Sequence, residues 1–207
     1  MSQVKKVLDI LNQEYPDADC SLNYENPLQL LVATILSAQC TDERVNKVTV
    51  DLFQKYKTVE DYAQAPVEEF QQYIRSTGFY KNKAKNIISA AQRIATEFDG
   101  EVPDNMKDLT SLAGVARKTA NVLLGNVFKK ADGIVVDTHV GRLSQRLGWT
   151  TEKNAEKIEK VLMEIIPKEE WIDISHRIIL HGRAVCNAKK PKCEECQLAS
   201  LCPSVKK

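Results

Sequence analysis

The sequence predicts an all-α protein, on three observations. Apolar residues recur at helical spacing along almost the whole chain, which is typical of amphipathic helices. The one strand-like stretch, residues 133–136, is too short to found a sheet. No repeat or low-complexity linker divides the 207 residues, which suffice for one large domain or two small ones. We therefore expect helices packed on helices around a substantial core.

The expected helices follow from their apolar faces and end signals. The first has its apolar face at residues 4, 7, 8 and 11 and ends before Pro16. The second, over residues 27–38, begins with a proline and is apolar nearly all round, which predicts burial. The others are expected from the N-cap Asp42 through Phe53, from Pro66 to about Gly78, over 83–98, over 109–128 with a break at Gly114, over 137–147, over 154–166 and over 171–181.

Composition and the N-terminal residues limit the class of protein. A hydrophobic share of 43% and a charged share of 28% are globular values and exclude wholesale disorder. The start, MSQVKKVLDILNQEY, has no secretory apolar region, and no stretch approaches the roughly 18 apolar residues of a membrane span. We therefore expect a cytoplasmic protein with no membrane partner, whose six cysteines are not a disulfide framework.

Charge is distributed unevenly along the chain. The net charge of +1, taken alone, argues against a nucleic-acid partner. However, residues 105–149 and residues 171–207 each carry a net +4, which acidic segments offset. Two basic blocks of this kind could form a phosphate-facing surface, although random scatter would give similar counts.

Four cysteines near the C-terminus have the spacing C-x6-C-x2-C-x5-C: Cys186, Cys193, Cys196 and Cys202. A zinc ribbon normally pairs two C-x2-C units across a longer gap. A [4Fe–4S] cluster tolerates uneven loops, because each thiolate ligates a different iron. The spacing therefore favours a cluster, with zinc or unrelated thiols as alternatives. The nearby Lys189 and Lys190 favour a structural role against phosphates over electron transfer.

A hairpin-like segment, LAGVARKTAN at residues 112–121, contains a candidate nucleophile. We read it as a tight turn at Gly114 followed by a helix from about Arg117, whose free N–H groups can hold a phosphate oxygen. Lys118 falls in the first helical turn, where the dipole opposes its charge and favours the neutral, nucleophilic amine. An ordinary surface or phosphate-binding lysine is the alternative.

A second polar segment, VDTHVGR at residues 136–142, begins with Asp137. This carboxylate is placed to cap the next helix, but it could equally assist proton transfer or stabilise a developing cation. His139 either contacts phosphate or is a packed histidine. His176 and His181 are expected to be hydrogen-bonded side chains rather than metal ligands.

Taken together, these motifs resemble the endonuclease III family of the helix-hairpin-helix DNA glycosylase superfamily. The resemblance includes LSAQCTD at 36–42 and GFYKNKA at 78–84 and covers about residues 20–203. It implies two lobes: a six-helix barrel over 20–130, with the hairpin at about 108–127, and a [4Fe–4S] domain formed by 1–19 and 131–207, with the cluster loop at 186–202.

The resemblance also implies roles for individual residues. Lys118 would be the nucleophile and Asp137 the essential carboxylate. Gln39 would fill the space left by a flipped base, and Phe79 would be the apolar wedge, usually a leucine. A polar helix cap and a core aromatic are their respective alternatives. The residues expected to contact DNA are Gln39, Phe79, Gly114, Ala116, Arg117, Thr119, His139, Lys189 and Lys190.

The implied function is that of a bifunctional DNA glycosylase and abasic-site lyase in base excision repair. It would act on oxidised pyrimidines as a nucleoid-associated monomer on double-stranded DNA with a damaged base or an abasic site. The hairpin departs from the family pattern at Ala113, usually proline, and at Ala116, usually glycine. If residue 116 needs a positive φ, alanine there would cost on the order of 1 kcal/mol. The alternative is therefore a non-catalytic or weakened damaged-DNA-binding paralogue.

Overall fold

A computed structural model describes residues 2–205 and divides them into two compact units. One unit is the continuous segment Cys20–Lys130, and the other joins residues 2–19 to residues 131–205. The described residues form helices and turns without a strand, which confirms the all-α prediction. None of these helices is long and apolar enough to cross a membrane.

The segment Cys20–Lys130 forms a helical unit around one apolar core. Helix α2 lies at its centre and buries residues on all sides, as its continuous apolar sequence predicts. Helix α2 packs against α3, α6 and α8, while α6 also packs against α4 and α5. Its helices are α2 (Pro27–Ser37), α3 (Asp42–Lys55), α4 (Val59–Ala63), α5 (Val67–Ile74), α6 (Tyr80–Glu97), α7 (Met106–Ser111) and α8 (Arg117–Asn126).

The other unit is built around the last long helix. Helix α11 packs against both α1 and α9, and α10 packs against α9. Their apolar faces meet in a second core that includes Leu11, Val140, Leu162 and Ile178. The helices are α1 (Gln3–Glu14), α9 (Thr138–Arg146), α10 (Ala155–Ile165) and α11 (Trp171–Ala184), and the chain then continues as short turns that contain the four cysteines.

Three local predictions need correction. The N-cap of α3 is Thr41, whose hydroxyl accepts from the Arg44 N–H, while Asp42 lies inside the first turn. Helix α4 went unpredicted because five residues are too few to show a period, although Thr58 and Asp61 form a capping box. The strand-like residues 133–136 are a loop whose apolar side chains enter the second core.

The cap of α2 gives a test of how local signals stabilise this unit. Asn26 Oδ1 accepts from the Gln29 N–H at 2.9 Å, just before Pro27 begins the helix. We expect Asn26→Ala to lower the free energy of unfolding by about 1 kcal/mol, because a helix N–H loses its partner. Asn26→Asp keeps an acceptor and should retain stability. Chemical denaturation followed by circular dichroism measures the difference.

The control for this prediction is Glu25→Ala, which removes an exposed side chain one residue away. It should leave the denaturation midpoint unchanged within error. Equal losses for Asn26→Ala and Asn26→Asp would show that the cap hydrogen bond contributes nothing.

Candidate active site and cysteine loop

The hairpin between α7 and α8 has the geometry that its glycine predicts. Gly114 has a φ of +78°, and a Cβ added there would lie 2.9 Å from the Asn86 Cβ. Both the conformation and the close approach therefore require glycine. Ala116 is extended, with a φ of −88° and a ψ of 169°. The expected strain at Ala116 is absent, because any residue adopts this conformation.

Lys118 lies in the first turn of α8 with its side chain exposed. The N-cap Ala116 has no side chain that could accept a hydrogen bond, so no side chain caps the first N–H groups of the helix. Arg117 and Thr119 flank the lysine in the same turn. An uncapped helix N-terminus beside a glycine turn is suited to hold an anionic oxygen. The amine therefore stands where a phosphate-bearing substrate can reach it.

Asp137 is the N-cap of α9, as the capping alternative predicted. Its Oδ1 accepts from the backbone N–H groups of His139 and Val140, both at 2.8 Å. Its Oδ2 accepts no hydrogen bond from the described residues. The side chain is half-buried. One oxygen thus orients the carboxylate and the other is available for a second role, so capping does not exclude chemistry.

His139 is held within a close contact of α9 and α11. Its Nδ1 lies 3.2 Å from Arg142 Nη2. A Cβ added at Gly182 would lie 2.8 Å from the same nitrogen, so glycine makes room for the ring. These contacts favour the packed histidine over an exposed phosphate contact.

The four cysteine side chains line one cavity of about 660 Å³. All four are half-buried. Burial raises the pKa of the Cys196 thiol, and the neighbouring Cys186, Cys202 and Cys193 raise it further, so these three residues lie within electrostatic reach of Cys196. Nevertheless, no group of three or more His, Cys, Asp or Glu residues between 2 and 205 is arranged to hold a metal ion.

Arginine side chains of α9 hold the start of the cysteine loop. Arg146 Nη1 lies 3.2 Å from Cys186 Sγ and donates to the Asn187 carbonyl at 2.8 Å, and Nη2 donates to the Ala188 carbonyl at 2.8 Å. Arg142 Nη2 donates to the Cys186 carbonyl at 3.0 Å. These donors satisfy carbonyls of a segment that has no secondary structure of its own.

His181 is also in contact with the cysteine loop. Its Nε2 lies 3.5 Å from Cys196 Sγ, and its Nδ1 lies 3.2 Å from the Tyr15 hydroxyl. Burial lowers the pKa of His181, so the ring is neutral near pH 7. The hydrogen-bonding role expected for this histidine agrees with these contacts.

Gln39 lies in the loop between α2 and α3, and Phe79 lies in the segment between α5 and α6. We call these segments the Gln39 loop and the Phe79 loop. Both residues have left-handed backbones, with φ values of 54° and 47°, and strained residues of this kind often occur at functional sites. Phe79 is 65% exposed, which rules out the core-aromatic alternative. Both side chains therefore project from the protein surface.

The basic blocks are less uniform than their sums indicated. Arg177 pairs with Glu170 and Asp173, and Lys130 pairs with Asp104. Arg142 and Arg146 are turned toward loop carbonyls. By contrast, Lys118, Lys189 and Lys190 are exposed. The described part of the two blocks therefore contains both paired basic residues and exposed ones.

Sequence reasoning missed the cations that bind main-chain carbonyls. Arg142 and Arg146 are one helical turn apart, and Lys83 occupies an apolar-stripe position with Ile87 and Ile94. The sequence did contain one signal, a lysine among the apolar positions of a predicted helix. A lysine is rarely buried unless it is paired, so this position predicts a partner.

Comparison with known proteins identifies the family. Residues 32–168 match the model of the HhH-GPD superfamily base excision DNA repair protein. Endonuclease III of Synechocystis sp. is 58% identical over 96% of this chain and 91% of that protein, and endonuclease III of Bacillus subtilis is 48% identical over 98% and 92%. A solved non-covalent endonuclease III–DNA complex superposes with a TM-score of 0.93 at 46% identity, covering 99% of this chain and 96% of that one. The chain thus belongs to the endonuclease III family of the HhH-GPD superfamily.

Proposed function

We propose that this protein is a bifunctional DNA glycosylase and abasic-site lyase that removes oxidised pyrimidines from double-stranded DNA as a monomer. The observation that carries the proposal is the exposed Lys118 amine in the first, uncapped turn of α8. An amine nucleophile leads to a covalent intermediate and strand cleavage, whereas a glycosylase that uses water needs no lysine and leaves the strand intact.

Lys118 performs the covalent steps. The neutral Nζ attacks the sugar C1′, the glycosidic bond breaks, and its electron pair leaves with the base, which takes up a proton. The nitrogen loses its protons as the sugar ring opens, which gives a Schiff base between Nζ and C1′. The Schiff base makes the C2′ proton acidic, and its removal expels the 3′ phosphate by β-elimination. Water then releases the lysine.

Asp137 supplies the negative charge for this sequence. Positive charge develops on the sugar as the glycosidic bond breaks, and a fixed carboxylate stabilises it. Its Oδ2 is free of hydrogen bonds from the described residues, so that oxygen is available to accept a proton. The two N–H groups at Oδ1 keep the carboxylate oriented without a change of side-chain conformation.

DNA binding is assigned to four short segments. The hairpin at Gly114 and the first turn of α8 (Ala116, Arg117 and Thr119) would hold a phosphate, and Lys189 and Lys190 would contact phosphates beside the cysteine loop. Phe79 would wedge between bases, and Gln39 would take the place of the flipped nucleotide. His139 would act through its packing against α11 rather than by direct contact.

The cysteine loop fits a [4Fe–4S] cluster. The four thiols line one cavity, together with His181, Glu194 and Glu195. Thiolate ligands suit iron–sulfur centres, and Cys186, Cys193, Cys196 and Cys202 would hold the cluster. When bound, the cluster would fix the fold of the loop, which keeps Lys189 and Lys190 in position.

The hairpin no longer favours a weakened paralogue. That alternative rested on the alanines at positions 113 and 116, and one of its grounds is absent because Ala116 has an extended backbone rather than a positive φ. Lys118 and Asp137 are both present, each at the start of a helix, which favours an active enzyme.

The nucleophile assignment predicts the outcome of covalent trapping. Lys118→Ala should lower borohydride trapping on abasic duplex DNA by on the order of 10³-fold or more, because no Schiff base can form. Gel electrophoresis of the trapped adduct measures it. The matched control, Lys107→Ala, removes an exposed lysine of α7 and should trap like the wild type. Undiminished trapping by Lys118→Ala would assign the nucleophile to another amine.

The two roles of Asp137 are separable by substitution. Asp137→Asn keeps the cap but loses the charge, so we expect unchanged stability and a 10²- to 10⁴-fold lower glycosylase rate, as an order of magnitude. Asp137→Ala should lower the rate and also cost about 1 kcal/mol of stability. Single-turnover kinetics and denaturation measure the pair. Full activity of Asp137→Asn would leave this residue only its capping role.

Two basic residues at the cysteine loop, Arg146 of α9 and Lys190 of the loop itself, should have different effects. Arg146→Met should accelerate the loss of iron and sulfide during incubation with a chelator, because the loop carbonyls and Cys186 lose their donor. Lys190→Ala should retain iron but reduce the salt slope of DNA binding by about 1. Iron analysis and binding titrations separate the two. Equal iron retention in both variants would contradict the role given to Arg146.

A further inference from the structure

Lys83 is a buried lysine that the proposed chemistry does not use. It lies near the start of α6 and is 4% exposed. Its Nζ donates to the carbonyls of Leu36 and Thr77, each at 2.8 Å. Burial lowers the pKa of Lys83. An ammonium group is costly to desolvate, so its retention in a core position calls for an explanation.

The first acceptor lies at the C-terminal end of α2. Helix α2 ends at Ser37, so the Leu36 carbonyl belongs to the last turn, whose carbonyls have no partner within the helix. The negative end of the helix dipole favours a cation there. Gln39 follows three residues later, exposed and in a left-handed conformation. The Nζ of Lys83 is therefore bonded to the last turn of α2, where the Gln39 loop begins.

The second acceptor lies just before Phe79. Thr77 ends a short 3-10 turn and is followed by Gly78, with a φ of 71°, and then by Phe79. The backbone N–H of Lys83 also donates to the Phe79 carbonyl at 3.1 Å. One residue thus binds the Phe79 loop on both sides, from its side chain at Thr77 and from its backbone at Phe79.

We propose that Lys83 is a positioning residue for duplex opening, which holds the Gln39 loop and the Phe79 loop in a fixed relation through the Leu36 and Thr77 carbonyls. The proposal rests on the proposed function, in which both side chains enter the base stack. A left-handed non-glycine residue persists only where its surroundings hold it. Two such residues that press against stacked bases need a common anchor, and Lys83 is bonded to both loops.

The test variant is Lys83→Met, which fills similar space without donors or charge. Because the substitution removes the desolvation cost of the ammonium but leaves the Leu36 and Thr77 carbonyls without a donor, we expect a folded protein with a lower unfolding midpoint than that of the wild type. The matched control is Lys85→Met, the same substitution at an exposed position of the same helix. If Lys83→Met is not recovered folded, Lys83→Gln replaces it and is assessed by the same comparison of cutting rates on duplex and single-stranded DNA.

The first readout compares lyase rates on two abasic substrates. Lys83→Met should cut abasic duplex DNA about ten- to a hundredfold more slowly than the wild type, because misplaced loops open the duplex poorly. Abasic single-stranded DNA needs no opening, so its rate should change by less than about twofold. Lys85→Met should preserve the ratio of the two rates. Equal losses on both substrates would reduce Lys83 to a general structural role and overturn the proposal.

A double-mutant cycle tests whether Lys83 acts through Phe79. If it does, adding Lys83→Met to Phe79→Ala should slow duplex cutting much less than it slows the wild type. Additive losses would contradict the proposal.

A fluorescence readout keeps this inference separable from the proposed function. A 2-aminopurine beside the abasic site brightens when the stack opens on binding, whether or not the strand is cut. Lys118→Ala should keep the brightening, whereas Lys83→Met should lose most of it at saturating protein. A wild-type protein that opens the duplex without cutting would refute only the proposed function. Full brightening with Lys83→Met would refute only the role of Lys83.

Discussion

A main-chain carbonyl at the end of a helix or in an irregular loop needs a hydrogen-bond donor from a side chain or from water. In this protein, buried or half-buried cationic side chains supply those donors at the Gln39 loop, the Phe79 loop and the cysteine loop. Lys83 binds the carbonyls beside Gln39 and Phe79, and Arg142 and Arg146 bind those at the start of the cysteine loop. Each loop has no regular structure of its own, so its conformation depends on a side chain from a neighbouring helix.

The two candidate catalytic residues lie at the starts of α8 and α9. Helix α8 begins without a side-chain cap, so its N–H groups are open to an anion, and Lys118 projects from that turn. Helix α9 begins with Asp137, whose one oxygen caps the helix while the other remains available. One helix start is thus left open and the other is closed by a carboxylate. The Asp137 carboxylate gains its orientation from backbone that is already ordered, which would limit its reorganisation during the reaction.

Much of the fold was predictable, because most helices have clear local signals. Pro27 at a first helical position, the start of a helix near Asn154 and the break at Gly114 all appear where the pattern predicted them. The misses have local causes as well. Thr41 and Asp42 are both favourable N-cap residues, and the helix begins one residue earlier than predicted, with Thr41 as its cap. Helix α4 is too short to show periodicity.

The candidate site was predictable only in part. Motifs identified Lys118, Asp137 and the four cysteines, because reactive side chains at fixed spacings are visible in a linear chain. The conformation at Ala116 was not visible, since φ depends on how the hairpin packs. Nor was the fate of the basic residues: Arg146 binds loop carbonyls, whereas Lys190 remains exposed. Equal charges in the sequence therefore have unequal roles in the structure.

The sequence by itself determined the helical class, the cysteine spacing and the identity of the candidate reactive side chains, because these depend on periodicity and residue type. Only the tertiary structure decided which oxygen of Asp137 is free, whether Ala116 is strained, and that Lys83 joins two loops 41 residues apart at their Leu36 and Thr77 carbonyls. Hydrogen bonds of this kind form between backbone groups that every residue carries. No residue type marks them, so they appear only when the chain is folded.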